Sequence, residues 1–271
     1  MAERRETDPL AGLVALPGVA DSIVAARAAV DALLWDRAVG TRRAEVAAES
    51  ALRGAWANAW FEGAETGLAQ LRTGAALDAS PVGRLLGNTT ALHAELPVLV
   101  DVVGMAPAQA LARMHALVAH GFVPDDELGR PRASGEADDA LRLGAPPGPG
   151  EVAERMAGLG RLLVASAVPG VLVASIAHAE VAVVRPFGWG SGLVARALLR
   201  LVLAQRGVDP EMLAAPEVGL RSLGRPAYVR AMRAYRTGSA DGVSALVDHL
   251  TRGIAAGARA PVTWLAEPPL G

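Results

Sequence analysis

Arg185-Pro186-Phe187-Gly188-Trp189-Gly190-Ser191-Gly192-Leu193-Val194-Ala195-Arg196 is a Pro/Gly-rich stretch between two apolar ones, Val171 to Val184 upstream and Leu193 to Leu203 downstream. That order predicts a tight loop joining two helices. Three glycines in five positions let the backbone turn successive N–H groups inward. The helix that follows adds its own unpaired N-terminal N–H groups and the positive end of its dipole. Such a loop binds anions, phosphate above all. It does not follow a strand, so Gly188-x-Gly190-x-Gly192 is no dinucleotide fingerprint. No P-loop lysine motif, zinc spacing or internal repeat occurs either.

The frame resembles the signature loop of Fic (Fido) domains, H-P-F-x-[DE]-G-N-G-R-x-x-R, which joins two helices of an all-helical core. Pro186, Phe187, Gly190, Gly192 and Arg196 match it. Arg185 stands at the family's His, Trp189 at its acidic residue, Ser191 at its Asn and Leu193 at its first Arg. The segment Ala174 to Val184, with His178 in it, resembles the helix that enters the family loop, and a weaker similarity of pattern runs from Leu92 to Ala256.

The resemblance implies transfer of AMP from ATP to a protein hydroxyl, with the motif His as general base and the acid holding the Mg²⁺ that bridges the phosphates. Arginine stays protonated and has no acceptor, so Arg185 is not that base. Trp189 offers only an indole N–H, which removes the usual metal site, and no metal ligand is assigned. The loop backbone around Gly190, Ser191 and Gly192 remains, beside Phe187. Arg196, on the helix, can pair bidentately with phosphate.

Far upstream, Asn58-Ala59-Trp60-Phe61-Glu62-Gly63 resembles the inhibitory helix motif [ST]-x-x-x-E-[GN] of one class of Fic proteins, with Asn58 replacing its hydroxyl residue. There the Glu pairs with the last Arg of the loop and blocks placement of the terminal phosphate. Here that pair would be Glu62 and Arg196.

Plainer readings stand beside these. The loop could be an ordinary connector with Trp189 packed on the core, and a Trp189 filling the cavity would exclude nucleotide. His178, on an apolar helix, reads as a core histidine bonded to a carbonyl rather than a substitute base. Glu62 reads as an exposed helix-end charge unless Arg196 lies opposite. Arg196 and Arg200, on one helix face, could both be surface charges, while Trp56 and Trp60 read as a core stripe.

A chain of 271 residues can bury a sizeable core. Its net charge of −2 gives no basic field for nucleic acid. All 26 basic residues are Arg, with Ala, Leu, Val and Gly abundant, as a GC-rich genome would produce. Without Cys there are no disulfides and no thiolate metal sites. Met1 to Pro9 lacks the apolar core of a secretory signal. Leu162 to Val184 is nearly uncharged, but Pro169-Gly170 divides it and the second half holds His178 and Glu180. Two buried helices are expected instead of a membrane span. The reading is a cytoplasmic protein, with oligomeric state left open.

Helical periodicity prevails. Helices are predicted over Asp21–Val39 and Arg43–Trp60, with Asp21 and Thr41 as caps, and over Leu85–Val103 and Pro107–His120. An irregular segment follows from Gly121 to Gly150. Within it, Arg130 to Leu143 takes the place of the family's flap hairpin, which clamps a target's backbone beside the loop, or is simply a linker. Helix resumes at Glu151. Tyr228 and Tyr235 fall on one helix, Thr237 to Asp241 forms a turn and cap, and a last helix, Gly242–Ala256, ends at Gly257 before an extended tail. The expected fold is an all-α, Fic-like bundle with a short flap hairpin. It comprises an N-terminal helical extension (1–80), a Fic-like domain (81–260) and a tail (261–271). The leading expectation is a protein impaired in adenylyl transfer that retains a nucleotide-binding loop for ATP, with Arg185 neutralising phosphate. Two rivals remain: an active protein AMP-transferase using His178 or a recruited carboxylate, and a non-catalytic module that binds a partner protein through the flap by strand addition.

Overall fold

The computed structural model describes residues 8–266. They form α1 (Val19–Leu34), α2 (Arg37–Gly40), α3 (Arg43–Phe61), α4 (Leu68–Arg72), α5 (Pro81–Met105), α6 (Pro107–Ala119), α7 (Pro149–Ala165), α8 (Gly170–Val184), α9 (Ser191–Gln205), α10 (Pro216–Leu223), α11 (Arg225–Arg236) and α12 (Ala240–Ala266). The fold is all-α. Among the described residues no strand occurs, only an isolated bridge between His120 and Val123.

The centre of the bundle is the pair α8 and α9. Thirteen of the fifteen residues of α8 are buried, which is why it reads as apolar on every face. Pro169 precedes α8, and α7 stops at Ala165, so the long apolar stretch is two helices. No helix among the described residues is long and apolar enough to cross a membrane. Around this pair, α5 packs on α3, α6 and α9, and α12 packs on α1, α10 and α11.

Several element ends differ from expectation, each for a local reason. Asp21–Val39 is not one helix: α1 ends at Leu34, and the Asp36 side chain accepts from Ala38 N and Val39 N to start α2. Asp21 lies inside the first turn of α1, whose cap is Gly18. Thr41 closes α2, its Oγ1 donating to Ala38 O, instead of capping α3.

The last helix does not stop at Gly257, and Pro261 to Ala266 continue it where an extended tail was expected. The glycines there serve close packing. A Cβ on Gly257 would meet Ala215 O at 2.3 Å, and one on Gly219 would meet Gly253 O at 1.9 Å. With no side chains in the way, α10 and α12 touch backbone to backbone, and Ala215 N donates to Gly257 O at 3.0 Å. Residues 267–271 of the tail lie outside the described residues.

The flap hairpin is also absent among the described residues. Residues 130–148 form an irregular strap whose backbone bonds go to the loop before α9 and not to each other in a ladder: Arg132 N donates to Pro186 O (2.8 Å) and Asp138 N to Gly188 O (2.7 Å).

Candidate anion-binding loop and its surroundings

Helix α8 ends at Arg185, held in the left-handed region at φ 49°, and α9 is capped by Gly190 at φ 74°. Between them the chain makes the tight turn that the sequence implies. Gly190 supplies no capping side chain, so the first N–H groups of α9, at Ser191 and Gly192, stay without a carbonyl partner in the helix. The Ser191 hydroxyl accepts from Phe187 N (3.1 Å) and donates to Phe187 O (3.2 Å), folding the loop onto itself.

Two aromatic stacks fix the loop against α6 and the turn after it. Phe187 lies on the His115 ring at 3.9 Å, and Trp189 lies on Phe122 at 4.3 Å. Trp189 is half-buried in this stack. His115 also donates from Nε2 to Trp189 O (3.2 Å) and accepts Gly129 N–H at Nδ1 (2.9 Å). Burial pushes His115 down to about 4, so it is a neutral strut. His115 and Phe122 carried no signal in the sequence, because contact with a loop some 70 residues away has no local pattern.

Arg196 is fully buried and lies across the start of its own helix. Its Nε donates to Asn58 Oδ1 (2.6 Å) and its Nη2 to Glu62, while the guanidinium sits 4.8 Å from the Phe61 ring centre. Asn58 in turn donates to Leu193 O at 3.1 Å. The structure thus brings Asn58, Glu62, Gly192 and Arg196 together, and Gly63 follows as a left-handed turn at φ 96°. Glu62 Oε1 lies 2.7 Å from the position a Cβ would take on Gly192, and Arg196 Nη1 lies 3.2 Å from it. That Nη1 is buried without an acceptor. Arg196 and Arg200 are not surface charges. Arg200 is buried on Glu217 (2.9 Å) and Ser50 (3.0 Å), and His93 Nε2 lies 3.3 Å from Glu217.

His178 is enclosed away from the loop. Nδ1 donates to Ala195 O (2.9 Å), leaving Nε2 to accept from the Tyr228 hydroxyl (2.8 Å). Burial, then the nearby Arg196 charge, push it down to about 3. Arg185 points to the strap: Nη1 pairs with Asp139 (3.1 Å) and donates to Asp138 O (3.3 Å), and Nη2 donates to Gly144 O. Trp56 and Trp60 are half-buried and pack against the core as expected, and Arg221 stands 3.4 Å and 5.1 Å from their ring centres.

The residues present fit a phosphate: free helix N-terminal N–H groups, a close backbone at Gly192, and a buried guanidinium N–H with no acceptor. They do not fit the family's Mg²⁺. At the acid's position a stacked indole offers no oxygen.

No protein-family model matches the chain, and no curated protein matches it in sequence. Solved structures do. A Fic family protein from Desulfovibrio desulfuricans G20 is similar with a TM-score of 0.75 at 20% identity, over 93% of this chain and 76% of its own. A fragment of Fic-1 from C. elegans gives 0.70 at 17% identity, over 92% and 73%. A variant of that fragment gives 0.69 at 16% identity, over 91% and 72%. With the loop, the helix pair around it and Glu62 opposite Arg196, this chain has the fold of the Fic proteins.

Proposed function

We propose that the protein is a Fic-fold nucleotide binder whose phosphate loop is retained, whose adenylyl transfer is impaired, and whose site is held shut by Glu62. The observation that carries this reading is the buried Arg196 Nη1, which has no acceptor and lies beside Gly192 in the first turn of α9 while Nη2 is held by Glu62. An unsatisfied buried guanidinium N–H is costly, and a phosphate oxygen at the helix terminus would satisfy it. Transfer is impaired in this reading because Arg185 cannot accept a proton and Trp189 cannot hold Mg²⁺. His178 does not take over as base, since both its nitrogens are committed and it is buried. When bound, ATP would supply only its phosphate oxygens as partners for the loop. This chain's residues hold its phosphates and do nothing further to it.

Calorimetric titration of the full chain with ATP, with and without Mg²⁺, tests this. Micromolar binding that weakens in Arg196→Ala and tightens in Glu62→Gly supports it. Absence of heat with ATP, GTP or ADP in every variant would overturn it.

A second reading, residual AMP transfer by a recruited carboxylate, is favoured by Asp138 alone. The strap sets it beside Gly188, and partial burial, then the like charge of Glu62, raise its pKa. Label from ATP retained on protein by Glu62→Gly and lost in Glu62→Gly/Asp138→Asn would support that reading over the first.

A further inference from the structure

A pocket of about 740 Å³ lies between α7, α8 and the segment before α1, and no residue of the α8–α9 loop lines it. Its long wall is one stripe of α7. Arg155, Leu159, Leu162 and Ser166 follow one another there at helical spacing, about 16 Å from end to end at the usual helical rise. Between the polar ends, Leu10, Ala165 and Ile176 join the two leucines in an apolar middle. Both ends are satisfied within the chain. At one, Glu180 accepts from Arg155 Nε (3.0 Å) and Nη2 (2.7 Å) and from the Tyr235 hydroxyl. At the other, Asp8 accepts from Leu10 N (2.9 Å), Ser166 Oγ (2.8 Å) and Ala167 N (2.7 Å), with the Arg206 charge close by. Arg161 differs: it lines the same pocket, and its guanidinium has no acceptor among the described residues. The charged group left without a partner in this lining is therefore a cation. Gly158, in the middle of α7, also lines the pocket. A glycine there costs the helix up to about 1 kcal/mol against alanine. Packing does not ask for it, since a Cβ would meet nothing nearer than Arg161 Nη2 at 3.9 Å. The missing side chain keeps the pocket wall open beside that guanidinium.

We propose that this pocket is a ligand site separate from the loop, and that it takes a small amphiphilic carboxylate, its hydrocarbon body along Leu159, Leu162 and Ile176 and its carboxylate on Arg161. Small-molecule sites have this size and make-up, apolar walls with a few fixed polar groups. The guanidinium supplies the paired N–H groups that a carboxylate accepts side by side. A cationic head would find no comparable place, because Glu180 and Asp8 are each already held by three donors. The site uses neither Arg196 nor Glu62, so it stands or falls apart from the nucleotide reading.

Titration calorimetry of the full chain with sodium decanoate, kept below the concentration at which it self-associates, tests this, with decanol as the uncharged probe of equal length. Saturable decanoate binding is expected, about tenfold tighter than decanol and about tenfold weaker in Arg161→Gln, the worth of one charge-assisted pair. Gly158→Leu, which puts a side chain into the pocket, should abolish binding of both probes while its melting temperature stays at or above that of the unaltered chain. Absence of decanoate binding, or binding that survives Gly158→Leu, would overturn the site. Equal binding of decanoate and decanol, both indifferent to Arg161→Gln, would overturn the carboxylate's place on Arg161. If Gly158→Leu fails to fold, Arg161→Gln, at an exposed position, decides by the same comparison of probes. Decanoate should bind equally with and without ATP; competition between them would put it in the loop and overturn the separate site.

Discussion

Arg196, deep in the bundle on α9, reaches the carboxylate of Glu62, which caps α3 from 134 residues earlier in the chain. Asn58, one turn before Glu62 on α3, takes the other edge of the same guanidinium at 2.6 Å. One helix end therefore holds two of the three arginine nitrogens, and Nη1 is left over at the loop.

Removing Glu62 uncovers a buried charge. Glu62→Gly is expected to lower stability without ligand by about 3 kcal/mol, the usual cost of stranding one partner of a buried ion pair. Part of that loss returns with ligand, since binding to the folded state alone stabilises it. Thermal melts with and without ATP check this. A destabilised variant that gains nothing from ATP would separate Glu62 from the anion site.

Magnesium should matter little. With Trp189 stacked on Phe122 in place of an acid, ATP affinity is expected to change by less than about threefold when Mg²⁺ is replaced by EDTA. Titration calorimetry reads the difference directly. Strong dependence on Mg²⁺ would require an oxygen ligand that the loop does not offer.

Stability should fall as pH drops from about 6.5 to 4. His115 and His249 are held near 4 and His178 near 3, all by burial, against an unfolded value near 6.5. Below 6.5 the unfolded chain gains protons that the fold refuses, so each histidine contributes a loss of up to about 1.4 kcal/mol per pH unit until its folded value is reached. Glu217, drawn down to about 2 by Arg200 and His93 against its own desolvation, has the usual carboxylate sign: its stabilisation is lost between about 4.5 and 2. Denaturant melts across pH check both windows. His115→Asn should flatten the upper one.

Tyr228 and His178 act as a structural pair. Tyr228→Phe leaves the buried His178 Nε2 without its donor and should cost about 1–3 kcal/mol. Chemical denaturation measures this.

The glycines and prolines around residue 190 made the helix–loop–helix legible, because a tight anion-binding turn needs those residue types locally. Resemblance to the inhibitory helix motif pointed to Glu62 as the partner of Arg196, and Asn58 joins it on the same guanidinium. Element ends were less legible. Gly257 read as a stop, but close contact with Ala215 and Gly219 decides its role, and that contact is invisible in a single helix.

By itself the sequence determined the all-helical class and a Pro/Gly-rich loop between two apolar helices. These follow from periodicity and from the local demands of a tight turn, whereas the reading of Arg185 and Trp189 as standing at a base and a metal ligand came from the resemblance alone. Only the tertiary structure decided that Arg185 serves a strap, that Arg196 keeps one nitrogen free, that His178 is sealed behind Tyr228, and that the expected hairpin is a strap bonded to the loop. Each depends on which distant backbone atom lies within hydrogen-bond reach, and that is set by how the helices pack.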